Sequence, residues 1–550
     1  MEYVADFETT TDINDCRVWA WCVCEIGNAD NLTYGIDIDS FMSFCETNGG
    51  VYWFHNLSFD GEFVLHYLFS NGYTLSNKSE TKTFKTLISG TGKWYQLTVT
   101  FDRHKKQKGK TAIYRDSLKK LPFSVNKIAE SFKLPISKLT IDYAADRPIG
   151  HRLTQQERDY IKNDVQIIAL ALEQQFNAGL DKLTIGSDAL NHFKSEFRGW
   201  RRRFPEIHLL MDAEIRRAYK GGYTYANPVY QNKIINAGCV FDVNSLYPDV
   251  MYHKPMPYGV PVFFHGQYED DEAYPLYIQN ITCHCKLKSE HLPTLQIKNN
   301  MHFNATQYLS ETDGYVDLSL TNVDLAILHE HYNLDIMSFN GGYKFKSMIG
   351  MFNTYIDYWM EQKHIAEDND NEGLRTLAKL MLNSLYGKTA TNPNVTGKFP
   401  YYDNGIVRYE MGEPEWRKPV YTAAGAFITA WARDKTIRAA QGNYKRFLYC
   451  DTDSIHLLGL EHPTNIEIDR TELGAWKHEY DFTQAKFIRA KTYVEIVNEK
   501  TVVKCAGLPD GVKNQITLDN FNKGLQLEGK LRPIHTQGGI VLTNTTFTLL

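Results

Sequence analysis

Carboxylates set in two ordered groups constrain the fold of this chain most, because each group must be gathered from segments far apart in sequence. The first group opens with Asp6 and Glu8 in VADFETT. On a strand, residues i and i+2 point to one face, so both can address one ligand. By itself D-x-E is common and most often a solvated pair. Asp60 follows in HNLSFDGEF, after an apolar and aromatic run. Tyr160 and Asp164 in YIKNDVQ have the i, i+4 spacing that puts phenol and carboxylate on one helix face. Four carboxylates are what two divalent metals need to clamp a scissile phosphate, one activating water and the other stabilising the leaving oxygen. Tyr160 is placed to orient that water.

The second group comprises Asp242 in FDVNSLYPDVM, then Lys379, Asn383, Tyr386 and Gly387 in KLMLNSLYG, then Asp451 and Asp453 in YCDTDSIH. Phosphoryl transfer needs in-line geometry and charge neutralisation more than covalent help. Asp242 and Asp451, once brought together, suit two Mg²⁺ ions that activate a 3′-hydroxyl and bind a triphosphate, with Asp453 supporting or sharing ligation. Lys379, Asn383 and Tyr386 fall on one helix face, which suits a triphosphate-binding helix; an amphipathic surface helix is the blander alternative. Leu380, Met381, Leu382 and Leu385 form the buried side in either case. Tyr247 is placed to stack beneath an incoming sugar and exclude a 2′-hydroxyl.

At 550 residues the chain exceeds a single hydrophobic core, so several domains are expected. Strand-like VWAWCVCEI and YQLTVTF beside helical ERDYIKNDVQIIALALEQQF predict an amino-terminal α/β domain. TLAKLMLNSLYGK reads as a helix stopping at Gly387, FDVNSLYPDVM as strand then turn, and RFLYCDTDSIHLLGL as a hairpin about its D-T-D turn. TVVKCAGL and GGIVLTNTTFTL read as late strands. The net charge of −5 does not advertise a nucleic-acid binder. Arg198, Arg201, Arg202, Arg203, Arg216, Arg217 and Lys220 nevertheless concentrate positive charge, and RHKKQKGK (103–110) reads as a hairpin tip. Nine cysteines, with Cys22/Cys24 and Cys283/Cys285 as C-x-C pairs, predict ordinary buried thiols, not disulfides or zinc. MEYVADFETT lacks the features of a signal peptide and no apolar run approaches about 18 residues, so a cytoplasmic protein is expected.

SLYP, NSLYG and YCDTDS resemble motifs A, B and C of family B DNA polymerases, and the first carboxylate group resembles the motifs of DEDDy-type proofreading nucleases. The wording is most similar to the protein-primed DNA polymerases of small double-stranded-DNA phages, through DSLKKLPF (Asp116 to Phe123), YKGG (Tyr219 to Gly222), KTY (Lys491 to Tyr493) and VKCAG (Val503 to Gly507). The resemblance covers nearly the whole chain. It implies a multidomain α/β and α+β fold: an RNase H-like exonuclease domain (1–184) and a right-hand polymerase with two terminal-protein-region insertions. The palm would occupy 185–253 and 419–500, the fingers 347–391 and the thumb 501–550. One insertion (254–346) would contact a priming protein, and the other (392–418) would help enclose template, giving processivity and strand displacement.

Residue by residue, the resemblance implies exonuclease metal binding by Asp6, Glu8, Asp60 and Asp164, with Tyr160 and Lys138 assisting. Thr9, Asn56, Phe59, Ser117, Leu118 and Phe123 would hold a frayed 3′ strand. Tyr219, Gly221 and Gly222 would partition primer termini, and Lys491 and Tyr493 would contact the primer. Asp242, Val243 and Asp451 are the implied polymerase metal positions, with Ser245, Leu246, Tyr247, Lys363, Lys379, Asn383 and Tyr386 at the nucleotide. Thr389 stands where an aromatic is common. The implied cofactor is Mg²⁺, two per active site, with Mn²⁺ as a substitute. The implied partners are primer-template DNA, dNTPs and a terminal protein primer, for a monomer in the cytoplasm of an infected bacterial host. The competing readings are an RNA- or DNA-primed family B polymerase, and a nuclease or binding module with an inert polymerase half.

Overall fold

The computed structural model describes residues 1–101, 110–197, 199–297 and 307–549; Arg198 and most of the basic run at 103–110 lie outside the described residues. The amino-terminal part is built on an eight-stranded mixed sheet. Its strand Glu2–Thr9 pairs antiparallel with Val18–Glu25 and parallel with Gly50–Phe54, which in turn pairs parallel with Thr111–Asp116. Val18–Glu25 is buried almost end to end because both faces are covered. Cys22 and Cys24 pack with the long helix Gln155–Asn177, and Trp21 and Val23 with the opposite layer that holds Phe41 and Leu65. All nine cysteines are free and buried. A capping box starts the long helix: Glu157 N–H donates to Thr154 Oγ1 (3.2 Å), and Thr154 N–H to Glu157 Oε2 (2.9 Å).

A seven-stranded sheet carries the second carboxylate group. The strand Ile234–Val243 lies between Ser454–Leu458 and Trp476–Arg489, and Phe447–Asp451 with Ser454–Leu458 forms the expected hairpin. Lys500–Cys505 completes this sheet by pairing with Thr492–Val497. The Ala-rich helix Thr422–Gly442 runs beneath the hairpin and is buried along most of its length. FDVNSLYPDVM departs from expectation: after the turn at Asn244 and Ser245 the chain enters the helix Leu246–His253. Gly387 does not stop its helix either. That helix runs Glu372–Thr389, since a lone glycine costs only about 1 kcal/mol and packing supports both sides of it. It lies against Asn353–Asp368, and the acidic EDNDNEG segment makes the turn between them.

Residues 254–346 contribute most of a four-stranded sheet (strands Met256–Phe264, Tyr332–Met348, Leu276–Leu287 and Val316–Thr321, in that order), with the helix Asn322–His331. Two hairpins, Lys398–Asp403 with Ile406–Met411 and Gln526–Thr536 with Gly539–Thr548, both reach the helix Leu57–Ser70 of the amino-terminal part. There Tyr402 stacks on Phe69 (5.3 Å between centroids, 11° between planes). Tyr409 Oη donates to Glu62 Oε1 at 2.6 Å, and His535 lies 3.4 Å from Glu62 Oε2.

Two carboxylate groups as candidate active sites

The first group assembles as its spacing predicts. Asp6 and Glu8 share one face of the strand Glu2–Thr9, Asp60 comes from the helix Leu57–Ser70, and Tyr160 and Asp164 come from the helix Gln155–Asn177. They line one cleft of about 750 Å³ together with Thr9, Asn56, Phe59, Lys138 and Tyr143. Burial, then the nearby Asp164, pushes the Asp6 carboxyl up to about 7, against the pull of Lys138. Burial and neighbouring acids likewise raise Glu8 and Asp60 well above the usual range. Asp164 is raised by burial, although Lys138 ion-pairs with it and opposes the shift. Among the described residues no three such side chains have closed around a common point. Buried Asp60 Oδ1 and Asp164 Oδ1 nevertheless lack any hydrogen-bond partner. Buried carboxyl oxygens without partners are costly, and a divalent cation, which would favour their ionised form, is the group they fit.

Of the residues expected to hold a 3′ strand, Thr9, Asn56 and Phe59 do face the cleft. Ser117 is fully buried, its Oγ donating to Phe54 O (3.1 Å) and lying 3.0 Å from His55 Nδ1, so its hydroxyl serves the scaffold. Leu118 does not line the cleft, and Phe123 instead lines a separate cleft with Lys379 and Asn383. Two contributors escaped the sequence reading. Asp116 Oδ1 accepts the N–H groups of Asn56 (3.1 Å), Leu57 (3.4 Å) and Leu118 (3.0 Å), tying down the start of the helix that bears Asp60. Tyr143 bonds Tyr160 through their hydroxyls. DSLKKLPF flagged Asp116 only as part of a segment, and Tyr143 carried no sequence signal of its own.

In the second group, Asp242 pairs across the sheet with Ser454, and Val243 N–H donates to Asp453 O at 2.8 Å, which locks the strand to the D-T-D turn. Burial, then the nearby Asp453, pushes Asp242 up to about 7. Burial also raises Asp453. Asp451, expected as the main partner of Asp242, is engaged elsewhere. It accepts from Lys491 Nζ (2.7 and 2.8 Å), Thr224 Oγ1 (2.9 Å) and Tyr449 Oη (3.3 Å). Thr452 between the two aspartates is left-handed (φ +63°), and Asp453, not Asp451, is the turn carboxylate whose charge bears on Asp242.

Ser245 (φ +56°), Leu246 and Tyr247 form the start of the helix that follows Asp242. Tyr247 stacks on Tyr386 with centroids 3.8 Å apart. Lys379 and Asn383 face solvent on the same helix as Tyr386, and Lys363 stands on the neighbouring helix 3.9 Å from Glu367. Although the side chain is exposed, partial desolvation of its ammonium beside the neighbouring helix, then Arg375 and Lys363, lowers the Lys379 pKa. Tyr219, Gly221 and Gly222 approach from the segment before the strand Thr224–Ala226. A Cβ on Gly222 would sit 2.6 Å from Thr452 Oγ1, so only glycine fits there. Tyr493 is buried against Tyr449 (5.0 Å between centroids), behind the site. Arg433, absent from the sequence reading, is buried, pairs with Asp324 (2.7 Å) and donates to the carbonyls of Lys220 (2.9 Å) and Gly221 (2.7 Å).

A family profile for DNA polymerase type B, organellar and viral, matches residues 41–471. The chain is 47% identical to the DNA polymerase of Bacillus phage Nf, over 100% of this chain and 99% of that protein. It is 45% identical to the DNA polymerase of Bacillus phage phi29, over 100% and 98%. It superposes on phi29 DNA polymerase complexed with primer-template DNA and incoming nucleotide substrates with a TM-score of 0.94, at 44% identity and 100% coverage of both chains. Two carboxylate groups on this architecture, matched along the whole length, leave one assignment: the chain belongs to the type B DNA polymerases of organelles and viruses.

Proposed function

We propose that the cleft at Asp6 is the proofreading 3′→5′ exonuclease centre of this DNA polymerase and that the cleft at Asp242 is its nucleotidyl-transfer centre. As a family member the chain is a replicative DNA polymerase with a proofreading exonuclease, and protein priming and strand displacement fit that membership. The observation that supports the division is that two separate carboxylate groups each hold one aspartate, Asp6 or Asp242, that burial and a neighbouring carboxylate push up to about 7.

Divalent-metal dependence follows from the family, and Mg²⁺ at two positions per site, with Mn²⁺ as a substitute, is the form proposed. Asp6, Glu8, Asp60 and Asp164 would hold the metals in one cleft; Asp242, the Val243 carbonyl and Asp453 in the other, joined by Asp451 where Lys491 releases it. Bound there, divalent cations neutralise the reacting phosphate and acidify the attacking water or 3′-hydroxyl. The protein groups orient the reactants. The Tyr160 hydroxyl, fixed by Tyr143, aligns the water. The half-buried Phe59 ring, which lines the cleft, offers a surface for an unpaired base. In the second cleft the helix start at Ser245–Tyr247 presents N–H groups to a triphosphate, Lys379 and Lys363 add positive charge, and the Tyr247–Tyr386 stack floors the sugar pocket. Lys491 holds the primer side.

The partners proposed are primer-template DNA and dNTPs, the two kinds of molecule bound in the superposed phi29 complex. A terminal protein would dock on residues 254–346. Bacillus phage relatives support the cytoplasm of an infected bacterium as the setting for a monomer. Among the described residues no helix is long and apolar enough to cross a membrane. Incubation with a candidate terminal protein and one labelled nucleotide tests priming. Label on a protein hydroxyl is expected; extension of oligonucleotides with no protein labelled would remove the priming claim and leave the polymerase assignment standing.

A further inference from the structure

The turn Asp451–Thr452–Asp453 is strained and tied down at several points. Thr452 has φ +63°, which costs a non-glycine residue roughly 1 kcal/mol or more. Its N–H donates to Tyr223 O at 2.8 Å, and the Asp453 N–H turns back to Asp451 O at 2.7 Å. The remaining polar group of the Thr452–Asp453 peptide is the Thr452 carbonyl. It points toward the helix Thr422–Gly442, where the fully buried Thr436 donates its hydroxyl at 2.5 Å. A helical threonine ordinarily bonds its own i−4 carbonyl. Here the Ala432 carbonyl is the longer contact, at 3.3 Å, so the hydroxyl is spent mainly on the turn. One turn earlier on the same helix, Arg433 holds the Lys220 and Gly221 carbonyls, next to the Gly222 that touches Thr452. A single helix therefore grips both backbone segments that frame the carboxylates.

We propose that Thr436 is a positioning residue for nucleotidyl transfer. Its hydroxyl fixes the Thr452–Asp453 peptide plane, and so the direction in which Asp453 faces Asp242. The inference rests on the assignment of this cleft to polymerisation, and the exonuclease on the same chain serves as the control. Without the hydroxyl a buried carbonyl lies unpaired, which favours rotation of the peptide plane and swings the Asp453 carboxylate away from its partner.

Thr436→Val and Thr436→Ser are compared in three measurements: single-nucleotide addition to a primed oligonucleotide, degradation of single-stranded DNA, and hydrogen–deuterium exchange of residues 447–458 in chelator. Thr436→Val is expected to lower kcat for nucleotide addition by about tenfold or more with KM for dNTP within about twofold, as a misdirected reacting group does. Exonuclease activity should hold, the Thr452 and Asp453 amides should exchange faster, and Thr436→Ser should restore both polymerisation and protection. Nucleotide addition by Thr436→Val at the unsubstituted rate, unchanged exchange, or a serine variant as poor as the valine one would each overturn the proposal. If Thr436→Val also loses exonuclease activity through misfolding, Thr436→Ala is judged by the same outcomes. A wrong assignment of the cleft shows itself differently: Asp453→Ala would then leave primer extension intact.

Discussion

Asp6 and Asp242 carry the clearest residue-scale consequence. Both ordinarily titrate near 3.8, and burial followed by a neighbouring carboxylate moves each to about 7 in the metal-free protein. A carboxyl whose folded pKa exceeds its unfolded one binds more protons when folded. Its stabilising contribution is therefore present at low pH and lost as pH rises through about 7. Metal-free protein should be more stable at pH 6 than at pH 8 as far as these groups contribute. Asp242→Asn should raise Tm at pH 8 by roughly 1–3 °C, an advantage that Mg²⁺ offsets because binding at the second site stabilises only the protein that keeps the carboxylate there. Thermal unfolding in chelator and in Mg²⁺ checks this; an Asp242→Asn variant less stable than the unsubstituted protein at pH 8 without metal would contradict it. At this scale the sequence was highly legible. D-x-E and Y-x-x-x-D encode their shared faces directly in strand and helix periodicity. The roles of Asp451 and Asp453 were not legible, because their separation depends on a left-handed Thr452 and on Lys491, forty residues away.

Elements place those groups, and the helix Gln155–Asn177 shows how. Its capping box fixes the first turn directly before Tyr160, so Thr154→Ala should cost about 1 kcal/mol and loosen the turn bearing the tyrosine. The expected outcome is exonuclease activity that falls further on warming than polymerase activity does, measured on one preparation from about 25 to 40 °C. Parallel decline of the two would contradict it. The hairpin at YCDTDS and the long helix were readable from turn residues and periodicity. The helix after Asn244 and the continuation through Gly387 were not, since tertiary packing decided both against local signals. Of the clustered arginines, Arg201, Arg202 and Arg217 are exposed, but one of the set is not a surface feature. Arg216 bonds Asp212 and the carbonyls of Ala390 and Thr391, so its charge serves internal structure.

At the scale of the whole molecule, the hairpins at 398–411 and 526–548 meet on the exonuclease helix Leu57–Ser70, where Tyr402, Tyr409 and His535 bind its side chains. These contacts join the two catalytic halves through segments that neither half needs for chemistry. Tyr402→Ala combined with Tyr409→Phe should therefore shorten the product made per binding event several-fold on long templates and leave single-nucleotide addition unchanged. Challenge with trapping DNA reads the product length, and unaltered product length would show the junction to be inert. No spacing rule could have revealed it, because the partners lie more than 300 residues apart in sequence. The central claim is two independent centres on one chain. Its most direct test is a paired separation of function: Asp453→Ala and the double variant Asp6→Ala, Glu8→Ala, each assayed on one labelled primer-template with and without dNTPs. Asp453→Ala should abolish extension and keep degradation, and the double variant should do the reverse. Loss of both activities in either properly folded variant would contradict the account.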